Sequence, residues 1–102
     1  MADKFLLRNQ AIERIEPFAF AGLRKIKKLY LEVNTLRLLR NNSFTGMSEL
    51  SELDLSINKI KLIEIKAFEG LFNLKILDLS GNYLKSVDRF IFNDLKKLEF
   101  TF

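Results

Sequence analysis

The stretches "LDLSINKI", Leu53–Ile60, and "LDLSGNYL", Leu77–Leu84, are near-copies of one octapeptide, and they begin 24 residues apart. The same spacing separates Asn34, Asn58 and Asn82. A fixed period of about 20–50 residues is typical of repeat proteins, in which each unit buries its apolar side against the next one. We therefore expect a stack of similar units.

Apolar residues follow this period along the chain, so equivalent positions form columns when the units are aligned. The columns contain Leu29, Leu53 and Leu77, then Leu31, Leu55 and Leu79, then Leu36, Ile60 and Leu84, then Leu39, Ile63 and Val87, and finally Phe20, Phe44, Phe68 and Phe92. Extrapolation toward the N-terminus adds Phe5, Leu7, Ile12 and Ile15, with Gln10 in the asparagine column. The sequence thus predicts a single domain over residues 1–102, made of about four units and a C-terminal stub.

The recurring pattern L-x-x-L-x-L-x-x-N-x-L resembles the leucine-rich repeat signature. The tail "LIEIKAFEGLFNL" is similar to the 24-residue class of extracellular animal proteins such as Toll-like receptors, Slit and the small leucine-rich proteoglycans. The resemblance implies an α/β repeat solenoid, a horseshoe segment with a parallel β-sheet on its concave face and irregular or 3₁₀ turns on its convex face. It also implies an extracellular protein that binds a protein or peptide on the concave face. Members of this class usually carry cysteine caps, and this chain contains no cysteine.

The physical reading of the pattern agrees with the resemblance. Alternation in Leu29-Tyr30-Leu31 predicts a strand with one apolar face, and parallel stacking at about 4.8 Å would turn each leucine column into a buried ridge. We expect the asparagine side chains to satisfy backbone groups where the strands end. We expect the phenylalanine column to stack as an aromatic spine on the convex side.

Composition excludes several classes of function. The chain has no cysteine and no histidine, which removes disulfides, thiolate nucleophiles, the usual zinc ligands and any Ser-His or Cys-His pair. We predict no enzymatic activity, no catalytic residue, no metal and no cofactor. No apolar run is long enough to enter a membrane. Lys and Arg are interspersed with Asp and Glu despite a net charge of +4, so we predict no nucleic acid partner.

The outward-pointing strand residues form the predicted concave face, where this architecture binds ligands. Register gives the candidates Tyr30, Glu32, Thr35, Arg37, Asp54, Ser56, Lys61, Asp78, Ser80, Tyr83 and Lys85. The tyrosines are favoured because they offer large apolar area with a polar tip at low entropic cost.

Asp54 and Asp78 are predicted to be neighbours on adjacent strands, about 5 Å apart. A carboxylate pair at that distance can hold a cation or split its pKa values. We interpret the pair as structural, because no base, nucleophile or third acidic ligand accompanies it. We expect salt bridges to Lys28 or Lys4 instead.

Arg37, Lys61 and Lys85 repeat at the period and are predicted to form a basic row. Solvated charges at a rim are the ordinary explanation of such a row. Binding of an anionic glycan along it is the alternative.

The pattern stops inside a fifth unit, "LKKLEFTF", where Thr101 stands in a leucine column. We expect Phe100 and Phe102 to lie near an uncovered end and to support homo-oligomerisation, because solenoid ends need a polar cover to stay soluble. A structural unit that self-assembles through its uncapped ends is therefore the alternative function. A fragment of a longer array is our favoured explanation of the open end.

The tripeptide "NNS", Asn41–Ser43, matches the N-glycosylation acceptor pattern and falls on a predicted convex loop. Asn41 is therefore a glycosylation candidate.

Overall fold

The structure is a computed structural model and describes residues 3–102, so residues 1 and 2 of the predicted domain lie outside the described part. In chain order the strands are β1 (Lys4–Leu6), β2 (Lys28–Tyr30), β3 (Leu38–Leu39), β4 (Glu52–Asp54), β5 (Leu62–Ile63), β6 (Ile76–Asp78) and β7 (Phe100–Thr101). One parallel sheet has the order β1-β2-β4-β6-β7, and β3 pairs with β5 in a second parallel sheet. A 3₁₀ helix spans Arg89–Phe92. No helix among the described residues is long and apolar enough to cross a membrane.

The 24-residue period of the sequence sets the register of the sheet, because paired residues on neighbouring strands of the first four units are 24 positions apart. Phe5 lies opposite Leu29, Leu29 opposite Leu53, and Leu53 opposite Leu77. Each unit contributes one short strand to the concave sheet and returns through turns on the convex side. The predicted leucine-rich repeat solenoid is confirmed.

Burial is complete in the middle of the stack and weaker at its ends. Leu29, Leu53 and Leu77 are fully buried in one continuous apolar core. By contrast, Leu84 is only partly buried, and Val87, which was predicted to be a core residue, is 43% exposed. The prediction for Val87 is wrong because the described chain beyond the last full unit pairs with its strand β6 through β7 but does not reach the flank where Val87 lies.

The aromatic spine forms over three units and ends before the fourth. The rings of Phe20 and Phe44 stack at 6.2 Å, and those of Phe44 and Phe68 at 6.0 Å. Among the described aromatic pairs, none joins Phe92 to this stack. In the 3₁₀ helix the large Ile91 is 2% exposed and takes the buried position held by smaller residues in the preceding units. Phe92 therefore packs against the core, partly buried, without joining the stack.

The asparagine side chain of each inner unit bridges two units at the point where the strands end. Asn58 donates through Nδ2 to the carbonyl of Leu31 in the preceding unit at 3.0 Å and to that of Leu55 in its own unit at 3.1 Å. Its Oδ1 accepts from the backbone N–H of Leu36 at 3.1 Å. The flanking units repeat this arrangement, so the predicted structural role of the asparagine column is confirmed.

Gln10 occupies the asparagine column in the first unit of the described chain, where its side chain has no preceding unit to contact. Its side chain is exposed and donates only to the carbonyl of Arg8, at 3.0 Å. The backbone N–H of Gln10 is instead held by Oδ1 of Asn34, at 2.9 Å. The first unit thus tolerates glutamine, because Asn34 of the second unit supplies the hydrogen bond between the two units and the side chain of Gln10 supplies none.

We expect Asn58→Ala to lower the free energy of unfolding by about 1–3 kcal/mol, because it leaves buried backbone groups without partners. The matched control is Gln10→Ala, which changes the same column at an exposed position and should stay within about 0.5 kcal/mol of the parent. Urea titrations followed by circular dichroism measure both. Equal stability of the Asn58 variant and the parent would contradict the bridging role.

Candidate ligand-binding surface

The structure brings the predicted strand residues together on the concave face. They form two rows across the sheet, one with Tyr30, Asp54 and Asp78 and one with Glu32, Ser56 and Ser80. The candidates on the strands are therefore neighbours, as the register predicts.

The two aspartates organise the ends of their strands. Oδ1 of Asp54 accepts from the backbone N–H of Ser56 at 2.9 Å and from its hydroxyl at 2.6 Å. Asp78 accepts from the N–H of Ser80 at 3.0 Å and from its hydroxyl at 2.6 Å. Among the described residues no group of three or more potential metal-ligating side chains occurs. The arrangement therefore favours the structural interpretation of the pair.

The prediction of salt bridges between these aspartates and Lys28 or Lys4 is wrong. Across the described residues, the ion pairs join other side chains. The serine bonds turn each carboxylate toward the end of its strand, whereas the lysine column lies two residues nearer the start, beside Glu52 and Ile76.

Tyr30 stands in an acidic environment. Burial, followed by the adjacent Glu52 carboxylate and the charges of Asp54 and Glu32, raises the pKa of Tyr30 to about 12. Glu32 has one counter-ion, Arg8, with Nε and Oε2 3.7 Å apart. The phenol therefore keeps its proton, which the Glu52 carboxylate accepts in a hydrogen bond, in a region of negative charge.

The residue before each asparagine position adopts a left-handed backbone conformation in every unit. The φ angles are 53° at Asn9, 60° at Val33, 53° at Ile57 and 68° at Gly81. Glycine and asparagine adopt this conformation readily, whereas a β-branched residue is a genuine outlier there. Val33 and Ile57 are therefore strained by the repeat geometry.

Burial of the Ile57 side chain does little to offset this strain. Its side chain is 58% exposed, and a Cβ on the neighbouring Gly81 would lie 3.3 Å from its Cγ1. Together with Val33 and Tyr83, Ile57 lines a groove of about 700 Å³ at the end of the strands. We call these three residues the edge strip.

Val33 and Ile57 are functional candidates that sequence reasoning missed. The signal was present, because a β-branched residue stands directly before the asparagine where the fourth unit has glycine. Only the φ angle shows that the β-branched residue is strained at this position and that glycine is not.

Several predicted concave residues lie beyond the sheet. Thr35 and Arg37 follow the asparagine turn and line a second groove on the flank of the solenoid, which shares Thr35 with the groove of the edge strip. Lys61 donates its backbone N–H to the carbonyl of Arg37 at 2.9 Å, which places these two residues side by side as the basic row requires. Lys61 and Lys85 are both exposed.

Phe100 and Phe102 lie at the last strand of the sheet and in the columns of its concave face, and their role in self-association stays a prediction. Phe100 lies opposite Ile76, while Thr101 lies opposite the buried Leu77 and so occupies the core column. The two phenylalanine rings stack at 6.5 Å and are 55% and 63% exposed. They extend the concave face at its last strand.

The sequence model of the leucine rich repeat family matches residues 3–60 and 48–100. The chain belongs to the leucine-rich repeat family. Two solved structures are similar to this leucine-rich repeat chain. The TLR13–ssRNA13 complex matches with a TM-score of 0.91 and 32% identity over 94% of the chain. The Toll–Spatzle complex from Drosophila matches with a TM-score of 0.61 and 20% identity over 86% of the chain.

The matched region is a small part of those proteins. The chain spans 14% of the TLR13 chain and 15% of the Toll chain. A search of curated proteins gives no match.

The glycosylation candidate lies on the convex side of the second repeat. Asn41 is exposed, and its Oδ1 accepts from the backbone N–H of Lys66 at 2.8 Å. Ser43 is fully buried, and its hydroxyl donates to the carbonyl of Arg40 at 2.6 Å. Modification at Asn41 stays a prediction, and it would have to precede folding, since the serine of the acceptor pattern is inaccessible in the folded repeat.

We expect Ile57→Asn to be more stable than Ile57→Ala by about 1 kcal/mol, because both lose the same packing but asparagine tolerates the left-handed backbone better than a residue limited by its Cβ. Denaturant titration of the two variants measures the difference. The matched pair at Ile65, which is 53% exposed and has no positive φ, should favour alanine or show no preference. A preference for alanine at position 57 would contradict the strain.

Proposed function

We propose that this chain is a non-catalytic protein-interaction module that binds a protein or peptide segment on its concave face. The observation that carries the proposal is Ile57, a β-branched apolar residue at a strained and mostly exposed position. Residues held in sparsely populated backbone conformations cluster at binding sites, where the stability they cost is offset by function. Folding alone would be served better by glycine, as at Gly81.

The charges around the edge strip indicate the chemistry of the partner. Acidic residues dominate the middle strands of the concave face, namely Glu32, Glu52, Asp54 and Asp78. Apolar and aromatic area is available beside them at Ile57 and Tyr83, which are 58% and 57% exposed. A segment with an apolar anchor next to Lys or Arg would complement both features.

Similarity to known proteins supports a binding role and an extracellular setting. TLR13 was solved with ssRNA and Toll with Spatzle, so similar repeats occur in proteins that bind ligands. The sequence-based exclusion of a nucleic acid partner lacks support, because one of these ligands is RNA. We keep a protein or peptide as the proposed ligand, because the concave strands carry an acidic centre that repels phosphates.

A peptide display selection tests the proposal. A random peptide library is selected on the parent chain, and enriched peptides are synthesised and titrated against Ile57→Asn, Tyr83→Ser and the control Ile65→Asn. We expect enriched peptides with basic and apolar residues, and about tenfold or greater weakening by the two edge-strip changes, since exposed anchors of this kind often contribute more than 1.4 kcal/mol.

The Ile65 control removes an equally large exposed apolar side chain from the convex side and should leave binding unchanged. Peptides that lose affinity equally with all three variants, or with none, would contradict a ligand site at the edge strip.

A second candidate function is self-assembly, and Phe100 and Phe102 favour it. Two stacked rings that are more than half exposed form a hydrophobic patch on the last strand, next to a sheet edge without a partner strand in the described chain. Because the rings lie in concave columns, an assembly through them would join the last strands of two concave faces.

We expect the light-scattering mass of the parent to rise with concentration and that of Phe100→Lys/Phe102→Lys to remain monomeric. The control Phe18→Lys/Phe72→Lys replaces two phenylalanines of similar exposure, 55% and 53%, elsewhere on the surface. It should assemble like the parent. A parent that is monomeric throughout, or a control that dissociates equally, would contradict this second function.

A further inference from the structure

A groove on the flank of the solenoid collects cations from three successive units. It has a volume of about 450 Å³ and lies where the chain leaves the asparagine turn. Arg14 comes from the first unit, Arg37 and Arg40 from the second, and Lys59 from the third. We call these four residues the flank cations. Ligand sites commonly measure about 300–1,000 Å³, so the groove is large enough to hold part of a polymer.

The flank cations are poorly neutralised by the protein itself. Within the described residues only Arg14 forms an ion pair, with Glu16 at 3.8 Å, and both side chains are mostly exposed. Glu13 is the one acidic residue of the lining. An excess of positive charge is therefore held in a concave surface, which concentrates the electrostatic potential and attracts anions.

The types of residue that line the groove indicate which kind of anion it would bind. Guanidinium groups match tetrahedral oxyanions with paired hydrogen bonds, and three of the four flank cations are arginines. No aromatic side chain lines the groove, so it offers no platform on which the bases of a single-stranded nucleic acid could stack. Leu38 is the one large apolar residue there, which leaves little to anchor an apolar peptide.

We propose that the flank groove binds a sulfated glycan chain, with Arg37 and Arg40 holding its sulfate groups. The flank groove contains none of the three edge-strip residues, although Thr35 and Lys59 line both grooves. It also differs from the basic row, because Lys61 and Lys85 do not line it.

The test is calorimetric titration of the folded chain with a size-defined heparin oligosaccharide at physiological salt. We expect Arg37→Gln/Arg40→Gln to weaken binding about tenfold or more, since each change removes charge-assisted hydrogen bonds. The control Lys61→Gln/Lys85→Gln removes the same net charge outside the groove and should weaken binding less than about twofold, the small change typical of exposed charges. The same oligosaccharide without its sulfate groups should not bind.

Neither pair of changes removes a side-chain hydrogen bond or ion pair in the described structure, so circular dichroism should show both variants folded like the parent. Equal weakening by the two pairs would overturn the groove as the site and leave only general charge attraction. Absence of binding by the parent would overturn the proposal. Tighter binding of a single-stranded RNA probe, with the same dependence on Arg37 and Arg40, would overturn the glycan and assign the groove to nucleic acid.

Discussion

The hydrogen bonds of the buried asparagine amides are the constraint on which the rest of the structure depends. Each amide holds a carbonyl of its own unit together with a carbonyl and an N–H of the preceding unit, as Asn58 does with Leu55, Leu31 and Leu36. The bridge fixes where every strand ends and therefore where the chain turns. The residue before this position has a left-handed backbone in all units, and Val33 and Ile57 of the edge strip lie there. The flank groove begins at the same turn.

Sequence reasoning predicted the fold because the period encodes the register directly. A leucine every 24 residues can satisfy only a parallel stack, and the asparagine column marks the turn. Sequence reasoning did not identify Val33 and Ile57 of the edge strip as candidates. The strain at Ile57 is a backbone property that residue identity alone does not reveal, and the position of Arg37 depends on how sharply the chain leaves the sheet. The last full unit departed from the pattern at Val87, because periodicity does not reveal which flanks are covered, and at Phe92, because Ile91 takes the buried position instead.

The surface divides into regions of different chemistry although the core is uniform. The middle strands present carboxylates around Tyr30, whereas the flank presents the cations around Arg37 and Arg40. Apolar area is exposed between these regions at Ile57 and on the last strand at Phe100. Because core columns leave the outward positions free to vary, one repeat framework can present separate binding surfaces for partners of opposite charge.

Hydrogen exchange of side-chain amides, followed by nuclear magnetic resonance, tests the central claim most directly. The account predicts that the Nδ2 protons of buried Asn58 exchange only on global unfolding, at least about a hundredfold more slowly than those of Asn73. Asn73 is a fair reference because its Nδ2 also donates to a backbone carbonyl, that of Ser48 at 2.7 Å, but in a hydrogen bond that is exposed to solvent. Exchange of Asn58 as fast as that of Asn73 would show that the amide does not bridge the units, and would contradict the account.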